Sequence, residues 1–340
     1  MRRAPHRIAV MGSGSWGTTF AKVLADADAN AQVVLWARRA EVAAEINEGH
    51  TNANYLGEVK LPANVSATAD PVEALTGAEL VILAVPAQSL REQLGEWGTA
   101  IAEDAVVGSL MKGLERGTDL RMTQVVAQVL GVSDDRLAVV SGPNLAKEIA
   151  REEPTASVVA CSSQETADWI ARACTPSYFR PYTNTDLVGV EIGGIVKNVI
   201  ALAVGICDGM GMGDNTKATI ITRGLAETTR LALALGGSAD TMAGLAGLGD
   251  LVATCSSPLS RNRTAGRLIG EGNTLEQVAE KMTQVAEGIK SGSAVQELAT
   301  THGVEMPITA AVVAVIDGRV GVKDMARLLL ERELKSEEIH

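Results

Sequence analysis

Histidine and cysteine are scarce in this chain, and neither is arranged as a site. The four histidines among 340 residues lie outside any stretch with the look of a polar site, so acid–base chemistry would fall to carboxylates, tyrosines or lysines. The four cysteines stand at least 13 residues apart and form no C-x-x-C pair. This spacing excludes a zinc knuckle or a disulfide framework, and it predicts a chain without a bound metal in a reducing, cytoplasmic setting.

Long basic runs and long apolar runs are also missing. The formal net charge is −11 and Lys and Arg form no cluster, which argues against binding to nucleic acid or to an anionic membrane. No run reaches the roughly 20 apolar residues of a membrane span, and the apolar run after the basic N-terminus is too short for a signal peptide. We therefore expect a small-molecule ligand, and a homodimer is compatible with this composition. An anionic ligand must be met by a few local cations.

The first 188 residues alternate short β-branched runs with helical patterns, such as those at 17–26 and 119–130. This alternation predicts a doubly wound, parallel Rossmann-type α/β sheet. The predicted strands are 7–12, 33–38, 80–87, 105–110 and 137–144, followed by two more at 156–163 and 178–185.

Beyond residue 188 the strand signal stops and helical periods take over. The sequence thus predicts a dinucleotide-binding domain at 1–188 and an all-helical substrate domain at 189–340, with a ligand site between them. The predicted helices are 189–206, 216–235, 264–270, 274–281, 289–302 and 308–315.

A glycine-rich loop, G-x-G-x-x-G, follows the first strand directly and opens a helix. Gly12, Gly14 and Gly17 supply a tight turn, close backbone approach to a pyrophosphate and close packing of helix on strand. The helix N-terminus then offers its N–H groups to the phosphates. The second strand ends in "LWARR", where NAD enzymes usually carry an acid. Arg38 and Arg39 suit a 2′-phosphate, so we expect NADPH to be accepted or preferred, although two arginines after a strand also suit a solvated loop.

Several polar residues stand out against small or apolar surroundings. Lys197 lies in "EIGGIVKNVIALAVG", where only it and Asn198 strongly resist burial. Lys112 follows the carboxyl end of a predicted strand, Asp250 follows three glycines, and Arg261 stands at a predicted helix start. Each has a plain alternative: a lysine stem with its ammonium in water, a solvated turn, a helix N-cap or a surface charge.

Taken in order, these segments are similar to the bacterial-type NAD(P)-dependent glycerol-3-phosphate dehydrogenases. The blocks "GSGSWG", "MKGLE", "SGPNLAKE", "EIGGIVKNVIALAVG", "NTKATIITRGLAE", "GLAGLGDLVATC" and "SRNR" carry the resemblance from about Ile8 to at least Met325. It implies hydride transfer between NAD(P)(H) and the glycerol 3-phosphate–dihydroxyacetone phosphate pair. The reduction feeds glycerophospholipid synthesis.

The resemblance also implies roles for individual residues. Lys197 matches the proton-transfer lysine, and Asn144 departs from the family because Ser or Thr commonly follows its Gly–Pro. The implied substrate contacts are Lys112, Gly142, Asn144, Lys197, Asp250, Ser260, Arg261 and Asn262. The implied cofactor contacts are Gly12, Gly14, Ser15, Trp16, Gly17, Arg38, Arg39, Lys112, Ala146, Arg261, Val285 and Glu287.

The small residues around Lys197 are expected to let the nucleotide-binding domain approach its helix closely. Two alternatives stay open on the sequence. A β-hydroxyacid-type dehydrogenase shares the lysine and the helical second domain but selects a carboxylate substrate. A non-catalytic NADPH-binding sensor needs the glycine loop but has no use for Lys112, Lys197 and Asp250 together.

Overall fold

A computed structural model describes residues 2–282 and 286–325. In it the chain separates into two compact units, the first formed by 1–112 and 120–187, the second by 113–119 and the residues from 188 onward. The segment Gly113–Asp119, which the predicted division assigns to the first domain, groups with the second unit. Leu114 lies in the core of that unit, and the Arg116 guanidinium donates to the Lys290 carbonyl.

An eight-stranded sheet in the order β3-β2-β1-β4-β5-β6-β7-β8 forms the first unit. Alternate residues of a strand face opposite sides of the sheet, so Ile8 and Val10 pack into one apolar layer and Ala9 and Met11 into the other. The strands are β1 (Arg7–Met11), β2 (Gln32–Trp36), β3 (Val65–Thr68), β4 (Leu80–Leu83), β5 (Val106–Ser109), β6 (Leu137–Ser141), β7 (Thr155–Cys161) and β8 (Phe179–Asn184).

Helices and short 3₁₀ turns connect these strands. The 3₁₀ turns are Ala87–Ser89, Gly98–Ala100 and Asp134–Arg136. The helices are α1 (Ser15–Ala27), α2 (Ala40–Gly49), α3 (Ala53–Leu56), α4 (Pro71–Leu75), α5 (Leu90–Trp97), α6 (Met122–Leu130), α7 (Ala146–Ala150) and α8 (Gln164–Ala173).

The Rossmann-type sheet is confirmed, but it is not parallel throughout. β1 to β6 run parallel, whereas β7 pairs antiparallel with β6, and β8 runs parallel to β7. The reason lies in the connection. α7 has 5 residues and spans only about 7.5 Å, too short to return the chain along the roughly 17 Å of β6. β7 therefore begins beside the carboxyl end of β6 and runs antiparallel to it. The short strand β3, with two of its four residues buried, was not predicted.

Every regular element that the structure describes after residue 188 is a helix, and each predicted helical segment overlaps an observed helix. A π-helical turn (Leu245–Gly249) and two helices, α11 and α12, lie in a glycine-rich stretch that gave no helical period. The helices are α9 (Leu187–Gly209), α10 (Asp214–Ala234), α11 (Ala239–Ala243), α12 (Asp250–Ser256), α13 (Arg261–Gly270), α14 (Leu275–Lys281), α15 (Glu287–Thr301) and α16 (Pro307–Ile316).

α9 is the central helix of this unit. By length and composition it could cross a membrane, but 89% of its most apolar window is buried inside the protein. Its side chains fill the core of the helical unit.

Candidate active site

The glycine loop lies at the carboxyl end of β1, where the strand order reverses between β1 and β4. Gly12 has a φ of +128°, and a Cβ on it would come within 2.6 Å of the Ala84 carbonyl oxygen that follows β4. A Cβ on Gly17 would collide with the Gly12 carbonyl, whereas one on Gly14 would meet no atom within 4 Å. Two glycines are thus required by close packing, and the third leaves open space for a ligand.

The first turn of α1 suits a bound anion. Its N-cap is Gly14, so no side chain caps the turn, and the turn contains no acidic residue. Beside it, the buried indole Nε1 of Trp16 makes no hydrogen bond in the part of the chain that the structure describes. N–H groups at a helix N-terminus with an unsatisfied indole donor fit a dinucleotide pyrophosphate.

Arg38 and Arg39 follow β2 and are both exposed. The Arg39 guanidinium lies 3.8 Å from the Glu41 carboxylate, a pair that is more than half exposed on both sides and therefore weak. β2 itself ends without an acid. These residues fit a 2′-phosphate better than a ribose 2′-hydroxyl.

Past the ends of β5 and β6, Lys112 and Gly142 meet. Lys112 Nζ donates to the Gly142 carbonyl at 3.1 Å, and Gly142 has a φ of +103°. The side-chain amide of Asn144 contacts Ser157 Oγ at 3.0 Å, and Ser157 Oγ donates its single proton to the Ser141 carbonyl at 2.5 Å. The amide nitrogen of Asn144 carries two N–H groups and can therefore present a donor, as a serine or threonine hydroxyl would. Ala146 begins α7, and its carbonyl accepts from Thr19 of α1 at 3.2 Å.

Lys197 is buried in α9 and paired with α12. Its Nζ lies 2.5 Å from Asp250 Oδ1 and donates to Thr254 Oγ1 at 2.8 Å. Lys197 is 8% exposed and Asp250 only 1%. The ammonium therefore does not reach water along its stem, and Asp250 pairs with it instead of capping a helix. Thr254 was not predicted, although it stands one helical turn after Asp250 and so on the same face.

Three glycines of α9 are required by packing within the helical unit. A Cβ on Gly193 would come within 2.6 Å of the Ala246 carbonyl in the π-helical turn. Cβ atoms on Gly205 and Gly209 would collide with the Arg263 and Arg267 carbonyls of α13. Small residues on α9 thus let neighbouring backbones approach it closely.

Asn198, the neighbour of Lys197, connects three helices through Asn262. Asn262 Nδ2 donates to Asn198 Oδ1 at 2.9 Å, and its own Oδ1 accepts from the Gly288 N–H of α15 at 2.9 Å. Ser260 is the N-cap of α13 and accepts from the Arg263 N–H. Arg261 is exposed on the first turn. The start of α13 is therefore fixed on α9 close to Lys197.

Two predicted cofactor contacts remain. Glu287 is the first residue of α15 and is half-buried. Val285 lies outside the described residues.

The two halves of the chain match the N-terminal model (residues 7–167) and the C-terminal model (residues 186–327) of NAD-dependent glycerol-3-phosphate dehydrogenase. The chain belongs to this family. It is 58% identical to glycerol-3-phosphate dehydrogenase [NAD(P)+] of Thermobifida fusca over 91% of this chain and 92% of that protein. It is 56% identical to the protein of the same name from Corynebacterium jeikeium over 97% of this chain and 99% of that protein.

Solved structures of the family share the fold. The glycerol-3-phosphate dehydrogenase of Coxiella burnetii superimposes with a TM-score of 0.91 at 36% identity, over 96% of this chain and 99% of that one. A D-mandelate dehydrogenase matches with a TM-score of 0.60 at 15% identity, over 94% of this chain and 99% of that one. That likeness is one of fold alone.

Proposed function

We propose that this member of the family interconverts glycerol 3-phosphate and dihydroxyacetone phosphate with NAD(P)(H). The observation that carries the proposal is the buried Lys197, paired with Asp250 and Thr254 inside an apolar helix. A lysine is costly to bury, so a paired one is a candidate for proton transfer.

In the proposed mechanism Lys197 moves the proton at the C2 oxygen. During reduction its ammonium donates a proton to the oxygen that becomes the hydroxyl, and during oxidation the amine takes that proton back. Asp250 and Thr254 keep Nζ in one position through both directions. The bound nicotinamide cofactor supplies or accepts the hydride.

The substrate phosphate is assigned to the first turn of α13. Ser260, Arg261 and Asn262 stand where N–H groups and the helix dipole favour an anion, in a chain of net charge −11 that must bind anions locally. Lys112, Gly142 and Asn144 complete the proposed substrate contacts, and their donors suit phosphate or hydroxyl oxygens.

The cofactor is assigned to the glycine loop, with further contacts from Ser15, Trp16, Ala146 and Glu287. Arg38 and Arg39 are proposed to bind the 2′-phosphate, so that NADPH is accepted or preferred. The product of reduction, glycerol 3-phosphate, would supply glycerophospholipid synthesis. Four buried free thiols suit a reducing cytoplasm.

One assay tests the proposal: NADPH and NADH oxidation in the presence of dihydroxyacetone phosphate. We expect turnover with this substrate and none with 3-hydroxyisobutyrate or 6-phosphogluconate in the oxidative direction. Activity on those carboxylates without activity on glycerol 3-phosphate would show a β-hydroxyacid dehydrogenase. Cofactor binding without turnover on any of them would show a sensor.

A further inference from the structure

Asn52 is a fully buried polar residue that bonds the glycine loop from outside it. Its Nδ2 donates to the Ser13 carbonyl at 3.0 Å and to Thr18 Oγ1 at 2.9 Å. Ser13 lies in the loop and Thr18 in the first turns of α1, so a single amide spans both. Asn52 itself is 0% exposed.

The Asn52 side chain makes no hydrogen bond to α3, the helix that follows it. Asn52 is the N-cap residue of α3, a position where asparagine commonly caps, yet it makes no capping bond. Glu45 of α2 takes that place, accepting from the Ala53 N–H at 2.7 Å and from Thr51 Oγ1 at 2.9 Å. The amide of Asn52 is therefore available for the loop.

The orientation of the amide is fixed by what it touches. The Ser13 carbonyl can only accept, so the amide nitrogen must face it. The opposite atom, Oδ1, is buried and accepts no hydrogen bond from any residue that the structure describes. A buried acceptor without a partner reduces the contribution of Asn52 to stability. The amide nitrogen, by contrast, donates two hydrogen bonds, one to the glycine loop and one to α1.

The peptide that Asn52 holds is the one that joins Ser13 to Gly14. In a planar trans peptide the C=O and N–H bonds point in opposite directions. Holding the Ser13 carbonyl toward Asn52 therefore turns the Gly14 N–H the other way. A Cβ on Gly14 would meet nothing within 4 Å, so this glycine stands beside open space.

We propose that Asn52 is a positioning residue for the dinucleotide, which fixes the Ser13–Gly14 peptide so that its N–H is ready for the pyrophosphate. The inference rests on the proposed function only in that the chain binds a nicotinamide dinucleotide. Because both cofactors carry the same pyrophosphate, Asn52 affects NADH and NADPH equally.

The test is equilibrium binding of NADPH and of NADH to the purified protein without substrate, followed by nicotinamide fluorescence. Asn52→Leu removes both donated bonds, and we expect both dissociation constants to rise by the same factor, about 10-fold or more. The matched control is Asn47→Leu. Asn47 also makes two bonds to one backbone segment, with Ala67 at 2.8 Å each, but away from the loop. It should lower the melting temperature and leave both dissociation constants unchanged.

Thr18 supplies a second pair of variants that keeps the test valid if Asn52→Leu does not fold. Thr18→Val preserves the side-chain volume but removes the hydroxyl that accepts from Asn52, and it should weaken the binding of both cofactors. Thr18→Ser keeps the hydroxyl and should restore binding.

Unchanged binding in Asn52→Leu and Thr18→Val would overturn the proposal, as would an equal loss in Asn47→Leu. Wild-type protein that binds neither NADPH nor NADH would instead overturn the proposed function together with this inference.

Discussion

A lysine buried in a helix is stable only when its ammonium is paired, and Lys197 is paired on α12 by a carboxylate and a hydroxyl. Its neighbour Asn198 joins the same helix to α13 through Asn262. Adjacent residues of α9 thus organise the proposed proton transfer and the proposed phosphate site. Each of these roles can be separated by a single substitution.

Replacement of Lys197 tests the proton-transfer role. We expect Lys197→Ala to lower kcat by about 10²–10⁴-fold, the usual range for general acid–base assistance, and to leave NADPH binding nearly intact. It also leaves the buried Asp250 carboxylate without its ion-pair partner, so the free energy of unfolding should fall by about 3–5 kcal/mol. The double variant Lys197→Met/Asp250→Asn should recover much of that stability but no activity. Near wild-type turnover in Lys197→Ala would make Lys197 a packing residue.

The arginines after β2 are the proposed determinants of cofactor preference. Replacing Arg38 and Arg39 by glutamine should weaken the binding of NADPH by about 10- to 150-fold per lost contact, because a charge-assisted hydrogen bond is worth roughly 1.5–3 kcal/mol. NADH binding should change little. Equal losses for the two cofactors would mean that these arginines do not contact the 2′ position.

Arg261 is the test of the phosphate site. Arg261→Ala should reduce kcat/KM for dihydroxyacetone phosphate by roughly 30- to 1,000-fold, about 2–4 kcal/mol, because binding energy remote from C2 helps to orient the reacting centre. Dihydroxyacetone, which lacks the phosphate, is the control and should lose much less. The phosphate role is wrong if both substrates lose the same factor.

Among the elements, α9 and α13 pack through a reciprocal set of glycines. Gly205 and Gly209 face carbonyls of α13, while Gly266 and Gly270 face the Leu202 and Ile206 carbonyls of α9. Backbone lies against backbone on both sides, so a methyl group at any of these glycines would require the two helices to move apart. This contact holds the start of α13, and with it the proposed phosphate site, against the helix of Lys197.

Two glycine-to-alanine substitutions should therefore change the free energy of unfolding in opposite directions. Gly205→Ala forces a Cβ into the Arg263 carbonyl and should destabilise by about 1–3 kcal/mol or more. Gly95→Ala, on an exposed position of α5 with no atom within 4 Å of the added Cβ, should stabilise by about 0.5–1 kcal/mol. Urea unfolding of both variants checks this, and a tolerated Gly205→Ala would show that the helices can separate.

At the scale of the whole molecule, each unit has its own core and two buried thiols. Burial raises the pKa of Cys174 in the first unit to about 12. Burial, opposed by the charge of Lys197, also raises the pKa of Cys255 in the second unit to about 12. An unfolded chain ionises these thiols near pH 9, whereas the folded protein does not.

Stability should consequently fall at alkaline pH. The contribution of each thiol is fully present below about pH 9 and is lost as pH rises toward 12, at about 1.4 kcal/mol per pH unit per thiol. Urea unfolding at pH 8, 9.5 and 10.5 under reducing conditions measures the slope, and Cys174→Ala should make it shallower. A slope that Cys174→Ala leaves unchanged would contradict the burial of this thiol.

Several features could be read from the sequence alone because neighbouring residues encode them. Short β-branched runs predicted the strands by their length and composition, and the period of 3.6 residues predicted the helical second half, because both signals are carried by neighbouring residues. The glycine loop depends on spacing within six residues, and Lys197 stood out because charge is rare in an apolar helix. Local pattern was sufficient for each of them.

The tertiary structure alone decided which distant groups meet. Lys197 and Asp250 are 53 positions apart, and Asn52 lies 39 positions from Ser13. The antiparallel β7 likewise depends on the length of α7, not on any pattern in the strand itself. Hydrophobic periodicity predicts that a residue is buried, but it does not identify the residue that it contacts. That partner is set by how segments distant in sequence pack together. For that reason Asn52 gave no sequence signal, and only the structure shows that Gly205 and Gly209 of α9 face α13 and that Gly193 faces the π-helical turn.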